Sequence, residues 1–357
     1  MRLCLGIFSA AAILIATAAS AQPAPAQGEL ARTVRVLVHN IYGRREADCQ
    51  ERYKALAAHI LAAEPPFDVV ALNEHWKVPI DRWFTCDADV LTRAIESDGR
   101  YAGAGRSVQH LPSGGPLEVS GGDSIFTRYR ITATSQGKFA GRKFPLSGFA
   151  LARVELGPGA ALDVWGVHLE AGSDGCDRGC RRRQLADFAA AVKRGKSKNP
   201  VLLVGDFNIG GPLSASEKPP YSGNAGYEDI MDAFKSPRDL WLESGDGAEG
   251  FTYDCATNPL GKCGYRERID YVFLPGDPAF QSASSEFILA PRAVSVVRWK
   301  TPAGIFVSDH YGLDATLELR RRPGASGPSG PPLAASLRRW LDASGSRTPD
   351  WDRADRR

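Results

Sequence analysis

Beyond Ala18 the chain has no apolar run long enough to cross a bilayer, which excludes a protein built from several membrane-spanning helices. No segment repeats, so solenoid and propeller architectures are excluded as well. Charge of one sign is not in excess. Lys and Arg number 44 and Asp and Glu 41, a formal +3. That balance neither requires nor forbids a polyanionic partner, because a local patch can sit inside a near-neutral total. Cysteine is sparse, with seven in 357 residues, and no two closely spaced pairs match as a zinc-binding set would. What is present is ordinary globular composition, 43% apolar and 24% charged. This is ample for one large core, and length alone would allow two domains.

The N-terminus reads as a targeting segment. Arg2 gives a positive start, Leu3 to Ala18 is apolar and rich in small side chains, and Ala19-Ser20-Ala21 is an A-x-A cleavage site followed by Pro23 and Pro25. The pattern predicts a secretory signal peptide over residues 1–21 and a secreted or periplasmic protein. Residues 22–32 form a spacer, a folded domain is expected over 33–320, and the Gly/Pro/Ser/Arg-rich 321–357 reads as a disordered tail.

Removing Cys4 leaves Cys49, Cys86, Cys176, Cys180, Cys255 and Cys263. An even number in an oxidising compartment suggests disulfides, and neighbour pairing is the expectation: Cys49–Cys86, Cys176–Cys180 and Cys255–Cys263. A zinc site at Cys176-x3-Cys180 is the rival reading.

Alternating apolar residues predict a strand from Thr33 to His39, ending at Asn40. Helical spacing runs from Arg52 to Ala63, with Tyr53, Leu56, Ala57, Ile60 and Leu61 on one face and Pro65-Pro66 as the stop. Strands are expected at Val69–Leu72, Gly121–Thr134, Gly148–Leu156, Asp163–His168, Val201–Val204, Ile269–Leu274, Val294–Trp299, Ile305–Val307 and Leu313–Leu319. Helices are expected at Arg181–Arg194, with Leu185, Phe188, Ala189 and Val192 inward, and near Asp229–Leu242. Many strands, few helices and no strict βαβ alternation predict an α/β sandwich of two sheets packed face to face, with helices outside and the polar strand tips gathered at one edge.

Those tips carry the chemistry. Hydrolysis of a phosphodiester needs charge neutralisation, an activated water and donors to the phosphoryl oxygens. Glu74, Asn40 and Asp309 offer oxygens suited to Mg²⁺ or a similar hard ion. His310 can take a proton from water if an acid such as Asp270 orients it. His168 can donate to a phosphoryl oxygen. Each residue has a plainer reading: Asn40 as a turn residue, Glu74 facing water, His168 in the core, Asp206 and Asn208 as an Asx turn, Asp309 as a helix cap. So many coincidences in one chain favour a single site.

The order Asn40; Leu72-Asn73-Glu74; Gly121-Gly122-Asp123-Ser124-Ile125; Val167-His168-Leu169-Glu170-Ala171; Gly205-Asp206-Phe207-Asn208; Arg268-Ile269-Asp270-Tyr271; and Ser308-Asp309-His310 resembles the endonuclease/exonuclease/phosphatase superfamily over roughly residues 33–320. The resemblance implies a four-layered α/β sandwich of the deoxyribonuclease type, with two mixed, mostly antiparallel sheets. It implies Glu74 as the primary metal ligand with Asn40 and Asp309 beside it, and His310 as general base paired with Asp270. His168 would stabilise the transition state, and Asp206 and Asn208 would position water and phosphate.

Within that superfamily, His168-Leu169-Glu170-Ala171, Asp68 to Glu74 and Ser147-Gly148-Phe149-Ala150 resemble secreted neutral sphingomyelinases. An Mg²⁺-dependent hydrolase of a phospholipid headgroup ester is therefore expected, with Mn²⁺ or Ca²⁺ as substitutes. A monomer with peripheral membrane contact through Trp299 and Phe306 is part of that expectation. The turn between those two aromatics can equally pack inward, and Trp76, Trp83 and Phe84 can line a pocket or fill core. The alternatives are a secreted nuclease, with Arg142, Lys143, Arg181, Arg182 and Arg183 as phosphate contacts, and a non-catalytic binding protein on the same scaffold.

Overall fold

The computed structural model describes residues 28–323 apart from 47, 78–84, 104, 110–121, 140–146, 173–174, 222, 224 and 263. The expected signal peptide, Trp83, Phe84, Arg142, Lys143 and nearly all of the expected tail lie outside the described residues.

Elements are numbered in chain order. One six-stranded sheet has the order β13 (Phe287–Val297), β14 (Gly312–Arg321), β1 (Leu30–Asn40), β2 (Val69–Asn73), β4 (Ser124–Thr127), β3 (Ser107–Gln109). The other has the order β5 (Arg130–Lys138), β6 (Gly148–Gly157), β7 (Ala160–His168), β8 (Val201–Asp206), β12 (Asp270–Leu274), β9 (Arg238–Asp239). A short ribbon pairs β10 (Tyr253–Asp254) with β11 (Arg266–Glu267). The helices are α1 (Cys49–Ala62), α2 (Ala88–Glu96), α3 (Arg178–Arg194), α4 (Tyr227–Phe234) and α5 (Leu240–Ser244).

Four layers follow from how side chains alternate along the strands. Val34, Val36 and Val38 of β1 meet Val164, Leu202, Val204 and Val272 in the core between the sheets. Leu37, on the opposite face of β1, packs with Val70, Leu72 and the inner face of α1, where Tyr53, Leu56, Ala57 and Ile60 are buried. Leu203 and Trp165 face outward from the second sheet onto Leu185, Phe188, Ala189 and Val192 of α3. Strands covered on both faces read as continuous apolar runs, as Val201 to Val204 does.

Each sheet is antiparallel except for one pair. β1 runs parallel to β2, with Asn40 beside Asn73, and β7 runs parallel to β8, with His168 beside Asp206. A parallel pair needs a crossover, supplied here by α1 and α3. Loops leaving the carboxyl ends of parallel strands are where open α/β sheets bind ligands. The two parallel pairs therefore set the place of the site.

Several expected elements differ. The segment 121–134 divides at Arg128-Tyr129, where the chain passes from the first sheet to the second; Tyr129 is pinned by its hydroxyl donating to Asp68 Oδ1 at 2.7 Å. The helix near 229–242 breaks after Phe234. Lys235 and Ser236 both take left-handed backbone, at φ 57°, and Pro237 disfavours helical geometry in the residue before it. Asp239 then caps α5 by accepting from Trp241 N–H at 3.1 Å. Residues 305–307 form a closing turn rather than a strand, joined by a single bridge between Lys300 and Phe306. Helix α2, started by Asp87 accepting from Asp89 N–H, was not expected from the sequence.

Two expected disulfides are formed, Cys49–Cys86 and Cys176–Cys180. The third partner, Cys263, lies outside the described residues. Cys176 and Cys180 are bonded to each other, so the rival zinc reading fails: neither sulfur is a thiolate ligand.

Candidate active site

Glu74 follows the last residue of β2 in left-handed backbone, φ 61°. This turns its carboxylate back over the end of β1. Oε1 accepts from Asn40 Nδ2 at 3.2 Å and Oε2 from the Gly43 N–H at 3.1 Å. The approach requires glycine at 43, since a Cβ there would lie 1.9 Å from the Glu74 carbonyl oxygen. Asn40 also donates to Asp206 Oδ2 at 2.9 Å, while its own Oδ1 accepts from Tyr42 N–H. In this arrangement Asn40 braces two carboxylates.

Asp206 ends β8 and is buried. Its Oδ1 accepts from Asn208 N–H at 2.8 Å, and Oδ2 accepts from Asn208 Nδ2 at 3.2 Å. Asn208, at φ 50°, is itself fixed by donating to the Leu169 carbonyl. The two histidines approach the same oxygen, one from the end of β7 and one from the connection before β14: His168 Nε2 lies 3.6 Å and His310 Nε2 3.8 Å from Asp206 Oδ2. His310 Nδ1 is 2.8 Å from Asp270 Oδ2, so the imidazole is oriented by an acid behind it. Asp270, Asp206 and His310 thus form one close cluster, with a ring nitrogen of His310 already committed to Asp270.

Burial and mutual repulsion work against the carboxylates. Burial first, then the Asp309 charge, pushes Glu74 up to about 7. Burial also raises Asp309, and burial with the nearby Asp270 charge lifts Asp206 well above the usual carboxylate range. Burial disfavours the His310 cation, yet the Asp270 charge and hydrogen bond outweigh it and hold the imidazolium well above its usual range. Three uneasy carboxylates around one cleft are the donor chemistry that a hard dication would relieve. Glu74 and Asp309 are the residues that would hold it, with Asn40 behind.

Ser308-Asp309-His310 is anchored to the start of the chain. Ser308 Oγ donates to the Asn40 carbonyl at 2.7 Å. The buried Arg52 guanidinium of α1 donates to the carbonyls of Val307 (3.0 Å) and Tyr42 (3.3 Å), holding both site loops with one side chain.

Glu74, His168, Asp206, Asn208, Asp309 and His310 line one cleft of about 1640 Å³, with Asn40 and Asp270 directly behind them. Trp76 lines the same cleft. Trp299 and Phe306 do not join it. Trp299 is half-buried and stacked on His59 with ring centroids 5.2 Å apart. Phe306 is buried against Tyr311 and beneath Lys300. The pair expected to enter a headgroup layer is turned into the domain, because the Lys300–Phe306 bridge leaves only Pro302, Ala303 and Gly304 exposed at the tip.

Sequence reasoning missed three supports. Asn73 was visible only as part of a motif, and Thr252 carried no signal. Thr252 Oγ1 accepts from the backbone N–H groups of both Ile269 and Asp270, at 3.1 Å each, and so sets the position of Asp270. The buried Arg268–Asp239 pair, 2.8 Å apart, stiffens the same strand start.

A family model described as the Endonuclease/Exonuclease/phosphatase family matches residues 37–310. No curated protein sequence matches the chain. Among solved structures, D. rerio TDP2 complexed with a single-strand DNA product is similar at TM-score 0.57 and 17% identity, covering 80% of this chain and 98% of that one. Beta toxin from Staphylococcus aureus is similar at TM-score 0.55 and 21% identity, covering 79% and 99%. An endonuclease/exonuclease/phosphatase family protein from Leptotrichia buccalis is similar at TM-score 0.55 and 19% identity, covering 80% and 99%.

Proposed function

Because the chain belongs to the endonuclease/exonuclease/phosphatase family, we propose that it is an exported, metal-dependent phosphodiesterase that releases the headgroup of a phosphocholine-type lipid. The observation that carries the hydrolytic reading is the meeting of the His310–Asp270 pair with Glu74, His168 and Asp206 in one cleft. His310, held by Asp270, takes the proton of the attacking water through Nε2 from its neutral form, so the charges that favour its imidazolium in the cation-free fold must first be offset. Asp206, fixed by Asn40 and Asn208, orients that water and keeps His310 in place. His168 donates to a phosphoryl oxygen. A hard dication held by Glu74 and Asp309, Mg²⁺ in the first instance, would offset the negative charge that builds on the phosphate.

The charge of the cleft supports a lipid headgroup over a polyanion. Its described lining carries Glu74, Glu170, Asp177, Asp187, Asp206, Glu267 and Asp309 against Arg44, Arg181, Arg183 and Lys262. With a dication added and His310 held as a cation, the described lining comes close to neutral. Nucleic-acid sites carry a positive excess, whereas a zwitterionic headgroup suits a near-neutral cleft. The His168-Leu169-Glu170-Ala171 stretch supports the same choice. The two disulfides support an oxidising compartment.

A second reading, nucleic-acid cleavage, draws on Tyr42, Trp76, Tyr253 and Tyr265 in the cleft, since aromatics can stack bases, and on the fold shared with a DNA-bound protein. One paired assay decides. Purified protein is incubated with sphingomyelin vesicles and with supercoiled plasmid, each with Mg²⁺ and with chelator. Metal-dependent phosphocholine release without nicking is expected. Nicking without release would transfer the assignment to the nuclease reading. Inactivity on both with Mg²⁺, Mn²⁺ and Ca²⁺ would leave a binding protein.

A further inference from the structure

One wall of the cleft holds a carboxylate that the proposed hydrolysis does not use. Glu267 is 5% exposed, lines the cleft, and its carboxylate makes no hydrogen bond or ion pair with any described residue. Burying a carboxylate without a partner is costly, and the cost is offset when a cation occupies the space it faces.

Its position is set by strand pairing. Glu267 on β11 lies directly opposite Tyr253 on β10, and Tyr253 is bridged in turn to His310. Directly opposed residues of antiparallel strands project to the same side at about 5 Å spacing, so His310, Tyr253 and Glu267 form a row about 10 Å long. The Tyr253 and His310 rings meet at 71° with centroids 5.1 Å apart, and the Tyr253 hydroxyl is tied by the Lys262 N–H at 2.6 Å. At one end of the row sits the proposed proton acceptor, in the middle an aromatic ring anchored by its hydroxyl, at the other end a carboxylate that no described residue hydrogen-bonds and on which His310 and Arg181 act only through space.

We propose that Tyr253 and Glu267 form a subsite for the positively charged end of the substrate headgroup, a quaternary ammonium two carbons beyond the phosphate. This rests on the phosphodiesterase reading above. A phosphate placed at His310 puts its ammonium over Tyr253 and toward Glu267, and both aromatic faces and carboxylates attract such a cation. Arg181 is a neighbouring cation, but it is engaged with the Cys176 carbonyl at 2.5 Å and makes no ion pair with Glu267. Arg181 and Glu267 still act on each other through space, as His310 does on Glu267, while Asp177 and Asp229 share the Arg181 charge.

The test uses two soluble esters in full-length mature protein with Mg²⁺: p-nitrophenyl phosphocholine, and its neohexyl isostere, in which carbon replaces the ammonium nitrogen. Wild type is expected to prefer the charged ester by about tenfold in kcat/KM, through KM, a size typical of a desolvated cation–aromatic contact reinforced by a carboxylate. In Glu267→Gln and in Tyr253→Leu the ratio falls toward one. Tetramethylammonium is expected to inhibit wild type and to lose potency in both variants. Equal wild-type rates on the two esters, or no turnover of either, overturn the subsite. So does a ratio unchanged in Glu267→Gln, or loss of both activities in a Glu267→Gln protein that keeps the wild-type melting temperature. Should Glu267→Gln not fold, the wild-type ratio and Tyr253→Leu decide. A charged-ester preference in a protein inactive on vesicles would retain the subsite and overturn the lipid assignment, so the two failures are distinguishable.

Discussion

The side chain of Asn73, at the end of β2, accepts the backbone N–H of Asp206, at the end of β8, at 3.0 Å. It joins the two sheets where the site is built. The Asn73 amide also donates to Asp123 Oδ1 (2.8 Å) and the Val167 carbonyl (3.0 Å). Asn73→Ala removes all three bonds and leaves their buried partners unpaired, so a loss of about 2–4 kcal/mol is expected, at roughly 1 kcal/mol per bond. Urea denaturation measures it. Activity is expected to fall further than stability explains, because Asp206 loses its register. A destabilisation below about 1 kcal/mol would show that the two sheets hold that register without this bond.

His310→Ala and Asp270→Asn test the proposed base. His310→Ala is expected to lower kcat by about 10²- to 10⁴-fold, and Asp270→Asn by less, since it disturbs orientation and charge while leaving the imidazole. Near-UV circular dichroism reports whether the fold persists. Near-full turnover in a folded His310→Ala protein would remove His310 from the chemistry.

Metal affinity should depend on acid in a stated direction. In the cation-free fold Glu74 is held at about 7 by burial and by Asp309, and a cation must displace its proton. The apparent association constant for Mg²⁺ or Mn²⁺ should fall about tenfold per pH unit below that value. The sign for stability is the reverse. A carboxyl raised on folding contributes stability that is complete at low pH and is lost as pH rises through about 7. Added metal should cancel that loss. Calorimetric titration from pH 5 to 8 checks the first, and thermal melts with and without metal check the second. Affinity flat across the range would exclude Glu74 as the ligand, and Glu74→Gln should remove most of the binding.

The two disulfides should differ in worth. Cys49–Cys86 spans 37 residues and Cys176–Cys180 only 4. On the chain-entropy account, removal costs about 4 kcal/mol for the first and about 2 kcal/mol for the second. Paired Cys→Ser variants, compared by denaturant midpoint, give the order. A larger loss from the short loop would mean that α3 and the cleft wall depend on it locally.

How much of this was legible in the sequence varies with the kind of residue. Asn40, Glu74, His168 and Asp206 were readable because each closes an apolar run of the kind a buried strand makes, as with Val201 to Asp206, whereas Asp309 and His310 follow a turn and were readable from their motif. The order of the tips then gave the family. Glu74, His168, Asp206 and His310 do line one cleft. Positions set by a distant carbonyl were not readable. Arg52 reads as an ordinary charged helix residue, yet it is buried against loops from both ends of the domain. Thr252 is one hydroxyl in a loop. The orientation of Trp299 was undecidable, because stacking on His59 and exposure to lipid use the same side chain. The break after Phe234 was present as Lys235-Ser236-Pro237 and was outweighed by helical spacing on either side.

The pairing of β1 with β14 has a consequence for synthesis. The first strand of the domain gains its antiparallel neighbour only when the last is made, and Ser308, which seals the Asn40 loop, sits just ahead of that last strand. A polypeptide still emerging from the ribosome therefore carries Glu74 and Asp206 but neither the His310 imidazole nor the clamp that aligns it with them. On the mechanism proposed above, the site is therefore completed only when the last-made strand closes the first sheet.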